Sequence, residues 1–153
     1  KKLIEKKAKF LPITDLAMTI FWITIEEGIN LVEKSFIEMI GGEIFIPVIP
    51  SIRIVDLAKA MAPNLPYKVV GIRPGEKIHE IMFSKDDVAN VLRFKKYYVI
   101  IPNSIFTKKM EKYKKSKTKE IGKRVKLGFE YSSATNEKFL SIQEIRKIKM
   151  EPV

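Results

Sequence analysis

The chain has 153 residues, no cysteine and a single histidine, which excludes a disulfide scaffold, a thiolate zinc site, a cysteine nucleophile and a His-only metal site. With 46% hydrophobic and 10% aromatic residues it can fill a core, so general disorder is excluded as well. The net charge of +11 is confined to one stretch: Arg93 to Lys126 holds 13 basic and 2 acidic residues, and the remaining residues balance.

No apolar run approaches the roughly 18 residues of a membrane span. Lys1 to Phe10 is basic but lacks the apolar stretch of a signal peptide. A cytoplasmic chain without a membrane span is the expectation. The first residue is not methionine, which suggests a piece of something longer.

In chain order, Thr24 and Glu27 form a capping-box pattern. Ile25, Gly28, Ile29, Val32, Phe36, Met39 and Ile40 then recur at helical spacing, and Gly41-Gly42 ends the helix. Glu43 to Val48 reads as a short buried strand bounded by prolines. A second helix is expected from about Ile52 to Ala62, with Ser51 as its cap and Pro63 as its stop. Tyr67 to Ile72 reads as a strand, His79 to Phe83 as a short helix, Tyr97 to Ile101 as a strand and Ile142 to Ile148 as a closing helix. Strands alternate with helices, so the class is α/β, or α+β for the chain in isolation. The expected organisation is a lobe over 1–102, a flexible Lys-rich insertion over 103–127, and a segment over 128–153 that packs back on the lobe.

The centre of the basic stretch, Lys108 to Lys126, has almost no apolar periodicity and one aromatic, Tyr113. Such a patch would suit nucleic acid or an anionic membrane. Aromatics interleaved with the cations would support base stacking, and they are nearly absent, so a solvated tract is the preferred reading.

Arg73-Pro74-Gly75-Glu76 is the sharpest local signal. Proline second and glycine third fit a type II turn. That turn brings its first and last residues within about 7 Å at Cα. Arg73 then offers a planar cation for a phosphate, and Glu76 a carboxylate for two vicinal hydroxyls. An ordinary surface turn with a weak ion pair explains the same four residues. No Gly-x-Gly-x-x-Gly, Gly-x-x-Gly-x-x-Gly or Gly-x-Ser-x-Gly occurs. One Tyr-x-x-x-Lys does occur, Tyr113 to Lys117, in a tract so rich in lysine that it reads as coincidence.

Larger stretches add to this. Thr14-Asp15, Met18-Thr19, Phe21-Trp22-Ile23-Thr24, Gly41-Gly42-Glu43-Ile44-Phe45, Pro50-Ser51-Ile52-Arg53 and Asp56-Leu57-Ala58 occur in order. Gly71 to Glu80, then Tyr131-Ser132-Ser133 with Asn136, complete the series. Together they resemble the C-terminal, substrate-binding part of inverting UDP-N-acetylglucosamine 4,6-dehydratases. These are extended short-chain dehydrogenases of the polysaccharide-biosynthesis group. The resemblance implies a UDP-sugar substrate, and NADP held by an N-terminal Rossmann half that this chain lacks. It implies hydride leaving C4, loss of water across C5 and C6, and return of hydride to C6. It makes Arg73 the diphosphate ligand and Glu76 the ribose ligand, and it leaves the catalytic, cofactor-binding and metal positions of this chain empty. His79 and Lys77 match positions without an assigned role. Ile20 stands where the family stretch has arginine. The chain alone is expected to be inactive and to bind no NADP; its partners would be a separate or missing Rossmann half, or further copies of itself. The other reading is a basic module that uses Lys108 to Lys126 on nucleic acid or anionic membrane.

Overall fold

The computed structural model describes residues 8–102 and 110–148. Its elements begin with β1 (Leu11–Ile13), β2 (Thr19–Phe21), α1 (Ile25–Glu38), β3 (Ile44–Pro47), β4 (Ser51–Arg53), α2 (Ile54–Met61) and β5 (Tyr67–Val69). They continue with β6 (Ile81–Phe83), β7 (Val91–Arg93), β8 (Tyr97–Ile100), α3 (Met110–Lys114), β9 (Lys123–Arg124), β10 (Tyr131–Ser132) and α4 (Ile142–Lys147). Helix and strand are mixed, as the α/β reading requires. The described residues form two compact units, one from 8–22, 50–80 and 132–148, the other from 23–49, 81–102 and 110–131. The second unit is assembled around the pairing of the strand at 44–47 with the strand at 97–100.

In the first unit β1 pairs in parallel with β5, and β2 pairs antiparallel with β4, placing Ile20 opposite Ile52. Ile52, Leu140 and Ile145 are buried together, with Ile20, Trp22, Leu57 and Ala60 packed around them. Ser141 and Glu144 close a capping box on α4, satisfying amides that the helix leaves unpaired. The helix expected from Ile52 starts instead at Ile54, and Ser51 is no cap. The buried environment of Ile52 draws Ser51–Arg53 into a strand, where the Ser51 hydroxyl accepts from Asn136 Nδ2 at 3.0 Å.

In the second unit β3, β8, β7 and β9 form one antiparallel sheet in that order. Its core is Leu92, Phe94, Tyr97, Val99, Ile101 and Tyr113, with Leu31 and Phe45 partly buried against it. The Phe94 and Tyr97 rings stack with centroids 4.8 Å apart. The capping box at Thr24 and Glu27 forms as read. The helical repeat is also present, but Ile25, Ile29, Val32 and Phe36 lie on the exposed side of α1. Leu31 and Glu38 face inward. The short helix expected at His79 to Phe83 is a strand at its end, β6; an apolar run of three residues carries no period with which to decide.

The Lys-rich tract needs a correction. Residues 103–109 of it lie outside the described ones. The rest is part of the second unit, tied in at a few points while most of its side chains stay exposed: Tyr113 is buried in the core, and β9 adds a strand to the sheet. Gly122 passes so close to the Phe94 ring that a Cβ there would sit 2.5 Å from Cζ. The Glu38 carboxylate, on α1, accepts from Lys34 Nζ at 2.8 Å, from the Thr118 hydroxyl, and from the amides of Lys117 and Thr118. These ties are specific hydrogen bonds, so polar residues can pack a segment that has no apolar period. Tyr113, the one aromatic of Lys108 to Lys126, is buried in the core and offers bases no stacking surface.

Candidate functional site

The first unit carries the Arg73–Glu76 turn. Gly75 takes φ +86°, a value that suits glycine, and the Glu76 amide donates to the Arg73 carbonyl at 3.0 Å. Both features are those of the predicted type II turn. Upstream, β5 is held by β1, and Gly71 at φ +86° ends the extended run two residues before Arg73.

The two ends of the turn differ in how they are used. Glu76 Oε2 accepts the Arg73 amide at 3.1 Å and the Thr14 hydroxyl at 3.3 Å. The carboxylate therefore braces its own turn and ties it to the residue after β1. The Arg73 side chain is 74% exposed, and its Nη1 lies 3.9 Å from Glu76 Oε1. At that exposure and distance the ion pair contributes little, so the guanidinium is available to an anionic ligand. Thr14 was visible in sequence only as part of a family stretch; nothing local marks it as the partner of a residue 62 positions away.

Downstream, residues 78–80 run beside β2. The Thr19 amide donates to the Ile78 carbonyl at 2.9 Å, and the Phe21 amide donates to Glu80 Oε2 at 2.6 Å. Thr19 Oγ1 lies 2.9 Å from His79 Nδ1 and 2.8 Å from Ser133 Oγ. Ser133, fully buried, accepts the Glu80 amide at 2.9 Å and donates to the Thr19 carbonyl at 3.0 Å. Several of the quoted family positions thus converge on one polar cluster next to the turn, with Thr19 and Ser133 buried in it.

Ile20 does not join it. On β2, Ile20 points away from Thr19 and Phe21, and with Trp22 just beyond the strand it packs on the Ile52, Leu140 and Ile145 cluster. The Tyr113 hydroxyl donates to the Gly41 carbonyl at 3.0 Å, and the Lys117 backbone amide donates to Glu38. Burial, with Glu43 nearby, pushes the Tyr113 phenol up from its ordinary value. Among the described residues no group of three His, Asp or Glu side chains is placed to hold a metal ion, and no helix is long and apolar enough to cross a membrane. The second unit has an open groove of about 340 Å³ lined by Asn30, Leu31, Lys34, Val48, Lys96 and Tyr97 among others; neither Arg73 nor Glu76 is part of its wall.

Residues 1–102 match the sequence family described as "Polysaccharide biosynthesis protein". Over 148 residues, 97% of its length, the chain is 50% identical to a protein of Campylobacter jejuni subsp. jejuni serotype O:2 named UDP-N-acetylglucosamine 4,6-dehydratase (inverting), and it spans 44% of that protein. It is 34% identical over 99 residues, 62% of its length, to a UDP-glucose 4-epimerase of Rickettsia canadensis, spanning 29% of it. The X-ray structure of Pen from Bacillus thuringiensis superposes with a TM-score of 0.73 at 25% identity, over 95% of this chain and 40% of that one. The chain spans less than half the length of each of these relatives.

Proposed function

The chain belongs to the polysaccharide biosynthesis protein family, and from that premise we propose that it is the sugar-nucleotide-binding part of an NADP-dependent, inverting UDP-N-acetylglucosamine 4,6-dehydratase. Arg73 grips the diphosphate and Glu76, beside it, meets the ribose hydroxyls. The intact enzyme would make a 4-keto-6-deoxy amino sugar in the cytoplasm. The observation that carries this reading is the identity of 50% over nearly the whole chain, joined to a turn whose arginine is exposed and whose backbone is braced on both sides.

The residues of this chain do not fit NADP. No glycine-rich phosphate loop is encoded, and the tyrosine with a lysine four residues on spends its hydroxyl on a backbone carbonyl. We therefore assign the cofactor and the proton-transfer groups to a Rossmann half outside this chain, and no hydride step runs through the residues described. What this chain contributes is charge and orientation. A guanidinium on a closed turn meets two phosphate oxygens at once, in a geometry that a lysine would not hold.

Calorimetric titration of UDP tests the assignment. The chain is expected to bind UDP, and Arg73→Ala to weaken binding by roughly 10- to 100-fold, the value of one charge-assisted hydrogen bond. The melting temperature should not change, because the side chain is exposed. Equal affinity in Arg73→Ala would refute the role of Arg73. Incubation with UDP-N-acetylglucosamine and NADP should yield no 4-keto product; turnover by the chain alone would overturn the division of labour.

A further inference from the structure

The cluster at Thr19 can be solved for its protons. A carbonyl only accepts, so the Ser133 hydroxyl hydrogen lies on the Thr19 carbonyl. Ser133 Oγ then has two acceptor positions, one filled by the Glu80 amide. Its contact with Thr19 Oγ1 at 2.8 Å must use the other, so Thr19 donates to Ser133. Each hydroxyl has one hydrogen. The Thr19 hydrogen being spent, its oxygen can only accept from His79 Nδ1 at 2.9 Å. The ring nitrogen on that side therefore carries a proton, and in the neutral ring Nε2 carries none.

We propose that His79, in its Nδ1–H form, is the positioning residue that clasps segment 78–80 to β2 and so fixes the downstream end of the Arg73–Glu76 turn. The bond closes a ring of hydrogen bonds running His79, Thr19, Ser133, Glu80 and back along the chain. Glu76 is three residues from His79, too short a link to absorb an opening of the clasp without moving the turn. The upstream end is already held by β5 on β1 and by Thr14 on Glu76. The inference rests on the proposed role of Arg73 for its meaning in binding, but not for its geometry.

The chain has one histidine, so its imidazole nitrogens give one set of signals in a 15N-histidine-labelled sample of the full chain. At a pH where the ring is neutral, Nδ1 is expected to resonate as the protonated nitrogen and Nε2 as the bare one, against the ordinary preference of a free imidazole. Thr19→Val, which keeps the shape and removes the acceptor, should return the ring to Nε2–H. In His79→Ala, exchange of the Thr19 and Glu80 amides should speed up by about 5- to 30-fold, as expected when one or two hydrogen bonds of a local clasp are lost. Amides of β7 and β8 should be unchanged. His79→Asn places an amide N–H at about the reach of Nδ1 and should restore slow exchange, whereas His79→Gln should not. UDP affinity should follow the same order, with Ala and Gln weak and Asn close to the parent. An Nε2–H ring in the parent chain, or unchanged exchange in His79→Ala, overturns the clasp whether or not UDP binds. Absence of UDP binding to the parent chain would instead overturn the reading of Arg73.

Discussion

Replacing Glu38 by alanine should expose how the Lys-rich tract is held. The Glu38 side chain is 2% exposed, and that of Lys34 is 32% exposed. Removing one member of a buried pair usually costs about 3–5 kcal/mol, because the other charge is stranded. Here Lys34 can rehydrate, so the charge-assisted bonds set the scale, at about 1.5–3 kcal/mol. The amides of Lys117 and Thr118 and the Thr118 hydroxyl also lose their acceptor, which places the cost near the upper end, about 2–3 kcal/mol. For a chain of this size that is a fall in Tm of about 4–12 °C. Thermal melts followed by circular dichroism at neutral pH would measure it. The pH dependence has a defined sign. Burial raises the Glu38 carboxyl, but the bonds from Lys34, Thr118 and the Lys117 amide, with the Lys34 charge, outweigh it and hold the group below its ordinary value of 4.5. Its contribution is therefore present above that value and lost as pH falls through the lower folded one. Parent and Glu38→Ala should converge in stability on acidification. A variant that melts within about 1 °C of the parent at neutral pH would refute the reasoning, and with it the packed state of the tract.

Gly122→Ala should destabilise by about 1–3 kcal/mol, since its Cβ would press on the Phe94 ring and a packed core yields poorly; a melt equal to the parent's would contradict the close approach. Tyr113→Phe should lose about 0.5–1.5 kcal/mol with the bond to Gly41 while remaining folded, as denaturant titration would show. Ile20→Arg should not improve UDP affinity, although the family stretch has arginine there. The side chain faces the Ile52, Leu140 and Ile145 cluster, and a polar group placed against it should cost about 1–3 kcal/mol. Tighter UDP binding by a folded Ile20→Arg chain would show that position 20 reaches the ligand.

The family, the Thr24–Glu27 capping box with the helix it opens, the closing helix and the type II turn were legible in the sequence. Each rests on residues within a few positions of one another, or on a series of motifs in fixed order. The Thr24–Glu27 cap and the Pro74-Gly75 pair state their geometry locally, so no partner elsewhere was needed to read them. Of the three-residue strands, β5 was legible within the run from Tyr67 to Ile72, whereas β2, β4 and β6 were not. Each is shorter than the four or more residues over which an alternation can be recognised, and β2 and β4 supply each other's hydrogen bonds across some 30 residues of chain.

Tertiary structure alone decided the rest. The inward face of α1 meets partners far along the chain, Leu31 against the core of the second unit and Glu38 at Thr118, 80 residues on. The Lys-rich tract looked solvated because polar hydrogen bonds, which leave no apolar repeat, hold much of it to the second unit. His79 could not be assigned from its neighbours, because its role lies in Thr19 and Ser133, brought to it from 60 positions before and 54 after. A sequence states the chemistry of each group, whereas the protons of such a cluster are settled by which groups the fold places within about 3 Å of each other.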